Sequence, residues 1–224
     1  MSASGDVVGV EEVARLLGVT TRQVRNLTDR GELTLVARGI VDRTSLERHL
    51  ATRQGSRVRA WSPDTAWAAL ALLSEVEVNW LGQVQKSRLR AALRVIDARE
   101  LISRARNRAR AYRFNGHAST AARLRREIVA VHLASDLGLV EDLGQLDGYV
   151  ASEQLDGMVA RHGLTHGVRG QYTLRATNFD LDEVARIAES GTVLAALDSA
   201  ESLDARERAV GIDALHQALE KFRG

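Results

Sequence analysis

The residue pattern predicts an α+β chain, mainly helical, in which an N-terminal winged helix-turn-helix precedes a mixed α+β C-terminal domain. Three observations predict it. Apolar residues recur at helical spacing through Val10, Val13, Ala14 and Leu17, stop at Gly18, and resume at Val24 and Leu27. Leu33, Leu35, Ile40 and Val41 then bracket Ala37-Arg38-Gly39 as two short strands bracket a turn. Beyond residue 60, long helical stretches are broken by short alternating runs at AYRF, LDGYV and QYTLR.

The first helix starts near Val10. Glu11 and Glu12 sit in its first turn, where the positive end of the helix dipole favours carboxylates. Gly18 closes it, because the positive φ of such a cap strains any residue with a β-carbon. Val19 returns to the core, and Thr20 or Thr21 is placed to cap the second helix with its hydroxyl. Val24 and Leu27 point inward, which leaves Arg22, Gln23, Arg25 and Asn26 outside, and Ala14 is small where the two helices would cross. The second helix of such a pair presents its N-terminal residues to the major groove. There arginine pairs with guanine, and glutamine or asparagine with adenine. Thr21, Arg22, Gln23, Arg25 and Asn26 are therefore the candidate base-reading residues. The alternative is a helical hairpin that touches no DNA. Arg38 at the tip of the following hairpin and Arg43 at its base are candidates for phosphate or minor-groove contact. Asp42 or Thr44 then starts a helix over residues 45–50.

This DNA-binding domain spans residues 6–54, and the C-terminal domain spans 60–224. The stretch RQGSRVRA at 53–60 reads as a linker. Ser62 caps the next helix, Pro63 takes its first position, and Trp67, Leu70 and Leu73 follow. Trp61, Trp67 and Trp80 suit core packing better than base stacking. An Arg-rich segment over 86–113 is expected to be helical, with Leu89, Ala92, Leu93 and Ile96, then Leu101, Ile102 and Ala105, on its inner face. Its arginines suit a second phosphate contact, a solvated surface, or pairing with the acidic half of the chain. A strand over 111–114, a helix over 119–129, a strand over 146–150 and a helix capped by Ser152 and ending near His162 follow. A strand over 171–175 precedes a helical end, with Leu203, Val210, Leu215 and Leu219 turned inward.

The 224 residues carry a net charge of only +2, unevenly placed. Residues 15–59 hold ten cations against four acids, 86–126 thirteen against two, and 127–224 eight against seventeen. Basic blocks ahead of an acidic half point to a polyanion partner at one end. Cysteine is absent, which excludes disulfides and cysteine nucleophiles or ligands and fits a cytoplasmic chain. The N-terminus lacks a signal pattern, and the longest apolar run, AWAALALL at 66–73, is too short to cross a membrane. There is no phosphate-binding loop, nucleophile elbow or HExxH. His162 and His166 stand four apart, but Gly163 and Gly167 interrupt a helix that would align them on a metal. Asp180, Asp182 and Glu183 fit a helix start or a solvated loop better than a site. No catalytic residue, metal ligand or cofactor is assigned, no membrane partner is expected, and the chain is read as a non-enzyme.

Residues 9–50 resemble the winged helix of excisionase and MerR-type regulators. Taken with the Ser-Pro-capped helix, NWLG, SRLRAAL, YRFNGHAS, LDGYVASEQLDGMV, GQYTLRAT and the closing LAALDSAESLDARERAVGIDAL, the chain resembles actinobacterial helix-turn-helix regulators of the AbiE-like kind, the antitoxins of type IV toxin–antitoxin pairs. That resemblance implies a repressor of its own operon, acting at inverted repeats. It also implies a C-terminal domain that counters a nucleotidyltransferase toxin, often without stable contact. DNA reading would fall on Thr21, Arg22, Gln23, Arg25 and Asn26, with Arg38 in the wing. A single winged helix covers few base pairs, so a homodimer on double-stranded operator DNA is expected. Two alternatives stand beside this: an excisionase-like architectural factor for a recombinase, and an adaptor whose acidic C-terminal domain binds a protein partner.

Overall fold

The computed structural model describes residues 7–29, 31–43, 45–46, 49–50, 58–131, 145–167, 170–202 and 204–224. The chain is mixed α+β, with ten α-helices and two sheets among those residues.

The N-terminal unit runs β1 (Val7–Gly9), α1 (Val10–Leu17), α2 (Thr21–Asp29), β2 (Leu35–Ala37) and β3 (Ile40–Asp42). The sequence predicts only the β2–β3 hairpin. A third strand, β1, pairs antiparallel with β3, placing Val8 opposite Val41 in a sheet of order β1-β3-β2. Three residues are too few to display the alternation that marks a strand, so β1 escapes a sequence reading. Val13, Leu17 and Val24 from the helices bury against Val8, Val41 and Leu46. Of the two candidate helix starts, Asp42 makes the capping bond: its carboxylate accepts the Ser45 amide at 2.8 Å, while Thr44 lies outside the described residues. The predicted linker lies largely outside them too.

In the rest of the chain, α3 (Pro63–Leu73) begins as predicted, with the Ser62 hydroxyl accepting the Thr65 amide and Pro63 at the first position. Residues 66–73 are all buried, so this helix, apolar all round, is a core element. The Arg-rich segment is not helical throughout 86–113. α4 (Gln83–Leu93) and α5 (Ala98–Ala105) carry its first part, and β4 (Arg110–Asn115) takes the last residues, where Tyr112 and Phe114 alternate with polar neighbours. The helix expected over 119–129 also breaks. A 3₁₀ turn and one helical turn, α6 (Ala121–Leu124), give way to β5 (Val129–Ala130). The mostly β-branched run from Ile128 to Val131 favours a strand. Gly148 on the neighbouring strand admits it, since a β-carbon there would stand 2.6 Å from Ile128 Cδ1 and from the Val129 carbonyl.

β6 (Leu146–Ala151), α7 (Leu155–His162), β7 (Thr165–His166) and β8 (Tyr172–Thr177) complete a five-stranded sheet of order β5-β6-β8-β4-β7. β6 and β8 run parallel, and the other pairs are antiparallel. Ser152 lies in a 3₁₀ turn before α7 and makes no side-chain cap. α8 (Leu181–Glu189), α9 (Val193–Ala200) and α10 (Ala205–Arg223) close the chain. Asp180 and Asp204 cap α8 and α10. Leu215 and Leu219 turn inward as expected, Val210 is half-buried, and Leu203 lies outside the described residues.

Strand alternation sorts the sheet into two faces. Leu146, Val150, Tyr172 and Leu174 pack with Phe114 against α6 and α7. Tyr149 faces the other way, into the larger core built by α3, α5, α9 and α10. Asp147, Arg175 and Thr177 share the parity of Tyr149, which brings polar groups to the helix-covered side of the sheet.

Candidate nucleic-acid interface

Helix α2 is positioned by the turns at its two ends. Gly18 adopts φ 63° and ψ 38°. Its amide reaches the Arg15 carbonyl at 3.2 Å and the Val19 amide reaches that of Ala14 at 2.9 Å, which closes α1 with a paired C-terminal cap. Thr20, not Thr21, caps α2. Its hydroxyl accepts the Gln23 amide at 3.2 Å, and the Gln23 side-chain oxygen accepts the Thr20 amide at 2.8 Å. This reciprocal arrangement satisfies two otherwise orphaned donors. At the other end, Gly31 takes φ 71° and the Glu32 amide returns to the Leu27 carbonyl at 2.9 Å.

Between those ends, Val24 is the one buried residue of α2. Thr21, Arg22, Gln23, Arg25 and Asn26 are exposed on the remaining circumference. Among the described residues no carboxylate pairs with Arg22 or Arg25. The structure thus brings the five candidates together on one helix end but sets Gln23 apart from the rest, because its side-chain oxygen is committed to the cap. The signal was in the sequence, since Thr20 and Gln23 carry the spacing of a capping box. Arg38 is exposed at the β2–β3 turn, where the Gly39 carbonyl accepts the Val10 amide at 3.0 Å and fixes the tip against the start of α1. Arg43 is exposed just after β3.

The Arg-rich segment separates into two populations. Arg88, Arg90, Arg94 and Arg99 are exposed, while Arg104 pairs with Glu100 at 2.7 Å and its guanidinium lies over Trp61. Arg108 does the opposite of what a basic surface run suggests: it is 2 % exposed. Its guanidinium meets Asp198 at 2.6 Å, Glu201 at 2.7 Å and the Tyr149 hydroxyl at 3.1 Å. Arg175, brought beside Tyr149 by the parallel register, binds Asp147 at 2.8 Å and Glu201 at 3.1 Å.

Burial opposes the charge on both arginines. For Arg108, the Glu201 carboxylate, the Tyr149 oxygen and the Asp198 carboxylate outweigh it, and for Arg175 the carboxylates of Asp147 and Asp198 lead, so both stay protonated well above the usual range. Burial pushes the Tyr149 hydroxyl well up. It also pushes Asp198 up, against the pull of Arg175 and Arg108. Perturbed groups of this kind can mark active sites. Here both guanidinium groups already hold their carboxylates, so the arrangement locks the turn before β4 to β6, β8 and the end of α9. The sequence did hold a hint, a lone Asp198 inside an otherwise small or apolar helix.

Trp67 is wholly buried and donates to the Arg108 carbonyl at 3.1 Å. Trp80 donates to the Asp64 carbonyl at 3.0 Å. His162 contacts Glu127 at 2.9 Å while His166 lies against the Phe114 ring at 4.6 Å, so the two histidines have separate partners. Among the described residues no cluster of histidine and acidic side chains could hold a metal, and no helix is long and apolar enough to cross a membrane.

No protein-family model matches the chain, and neither a curated protein nor a solved structure matches it.

Proposed function

We propose that the protein is a sequence-specific, DNA-binding transcriptional repressor working in the cytoplasm. In this reading residues 7–50 are a winged helix-turn-helix, α2 is the recognition helix and the β2–β3 hairpin is the wing. One observation carries it: the N-terminal half of α2 is exposed, with Arg22, Arg25 and Asn26 around buried Val24 and, among the described residues, no acid paired with the arginines. A helix end with free cations and an amide fits the major groove, whose floor offers paired acceptors on guanine and an acceptor–donor pair on adenine. Arg22, Arg25 and Asn26 are the base readers, Thr21 and Arg43 contact the backbone, and Arg38 reaches a neighbouring groove or phosphate. Gln23 holds the first turn in shape. Two protomers would occupy an inverted repeat, because one such helix covers too few base pairs for a unique site.

The narrower role, the autoregulating antitoxin of a type IV pair, rests on the sequence resemblance alone. Its test is neutralisation of a nucleotidyltransferase encoded beside the gene. The wider reading is tested by selecting bound duplexes from a random pool with the full chain. The expected result is an enriched motif with two half-sites about one helical turn apart, or a multiple of that. A pool that stays random after repeated rounds would overturn it.

A further inference from the structure

Away from α2 and the hairpin, a set of exposed arginines without acidic partners among the described residues lies on α4 and the turn after it. Residues 83–99 hold Lys86, Arg88, Arg90, Arg94 and Arg99 against a single carboxylate, Asp97; Lys86 is half-buried and donates to the Val78 carbonyl at 3.2 Å, which leaves the four arginines. That carboxylate accepts the Glu100 amide at 2.7 Å as the cap of α5. Of the acids on adjoining elements, Glu100 pairs with Arg104, Glu75 with Lys221 and Glu220 with Arg223, while Glu77, on the connector before α4, is exposed. Arg88, Arg90, Arg94 and Arg99 are exposed, and among the described residues none of them has an acidic partner.

Leu89 and Leu93 bury the inner face of α4, and helical geometry then fixes where the cations stand. Val84, Ser87 and Ala91 fall on one line facing solvent, with Val84 64 % exposed. Arg88 stands on one flank of that line, and Arg90 and Arg94 stand on the other. The ridge is small and uncharged, and cations rise on both sides. A helix with its side chains is about 10–12 Å across and the major groove is about 12 Å wide. Cations on both flanks of such a helix therefore meet phosphates on both walls. A second copy of the same face would set like charges against each other. An acidic protein would match the sign of the charge but has no reason to match the two-walled spacing.

We propose that α4 is a second DNA-contacting surface, lying along a groove with Arg88 on one phosphate wall and Arg90 and Arg94 on the other, and that it holds the duplex without reading sequence. This does not rest on the role given to α2.

The test compares the full chain with an Arg88→Ser/Arg90→Ser/Arg94→Ser variant on a random-sequence duplex, over a range of salt. Each phosphate contact contributes about 0.9 to the slope of log affinity against log salt, so the slope should become shallower by about 2 to 3. A control variant, Arg161→Ser/Arg186→Ser/Lys221→Ser, removes as much charge from ion-paired positions elsewhere and should keep the original slope. Equal thermal unfolding of all three proteins establishes that the fold is intact. An unchanged slope in the first variant, or the same fall in the control, overturns the proposal. So does loss of binding to phosphatidylserine vesicles with the DNA slope intact, which would make the surface a lipid-facing one. The two readings fail separately. Without any enriched motif the α2 reading falls, and the slope change still upholds α4. With a motif but no slope change, only α4 falls. Absence of duplex binding at any salt overturns both.

Discussion

Helix α2 holds Arg22 and Arg25 in water with no carboxylate partner among the described residues, whereas Arg108 and Arg175 are nearly sealed from water and clasped by Asp147, Asp198 and Glu201. The side chain is the same, and surroundings decide what it does. An exposed, unpaired guanidinium keeps its five donors for an outside acceptor. A buried one has all its value inside, because leaving it unpaired would cost far more than any ligand could return. Charge counting along the sequence merges these two populations, and the fold separates them.

The largest expected effect lies on the buried side. Arg108→Met removes one partner and leaves Asp198 and Glu201 facing each other with less compensation. Breaking a buried pair in this way should lower the unfolding free energy by about 3–5 kcal/mol, measured by urea titration of the full chain. A second change, Asp198→Leu, should restore much of the loss, because apolar replacements of similar volume often match a buried pair. The contrast between the two arginine populations breaks if Arg108→Met unfolds at the same urea concentration as the parent.

The exposed side should respond in binding rather than in stability. Arg22→Ala or Arg25→Ala should change the unfolding free energy by less than about 0.5 kcal/mol. Each should cost about 1–3 kcal/mol of discrimination at one base pair if the arginine is bidentate to guanine. Affinity on the selected duplex and on single-base variants of it reports this directly. A loss spread evenly over every sequence would move that arginine from base to phosphate.

Much of the N-terminal unit was legible because its signals are local. The Gly18 turn, the inward Val24 and the outward Arg22, Arg25 and Asn26 all follow from helical periodicity and capping between neighbours in the chain. Strand β1 was not, since its only warrant is pairing with β3 across the unit. In the rest of the chain the Ser62 and Asp180 helix starts were legible for the same local reason. The break of the 119–129 helix was not, because β5 forms only where Gly148 lets Ile128 and Val129 approach. Arg108 was least legible of all. In RARNRAR nothing local distinguishes it from its neighbours, and its partners Asp198 and Glu201 come from the far end of the chain.

Gln23 gives the smallest and sharpest test of the contrast, because it sits among the exposed candidates yet is tied to its own backbone. Gln23→Ala removes one half of the reciprocal cap and should cost about 1 kcal/mol of stability. Gln23→Glu keeps an acceptor at the same place, a pairing that capping boxes commonly use, and should unfold within a few tenths of a kcal/mol of the parent. On DNA the added negative charge should weaken every duplex alike and leave the selected motif unchanged. If Gln23→Glu instead erases a preference for adenine at one position, the amide must leave the cap when DNA arrives. The first turn of α2 would then reshape on binding, and the free helix would be only an approximation to the one that reads the groove.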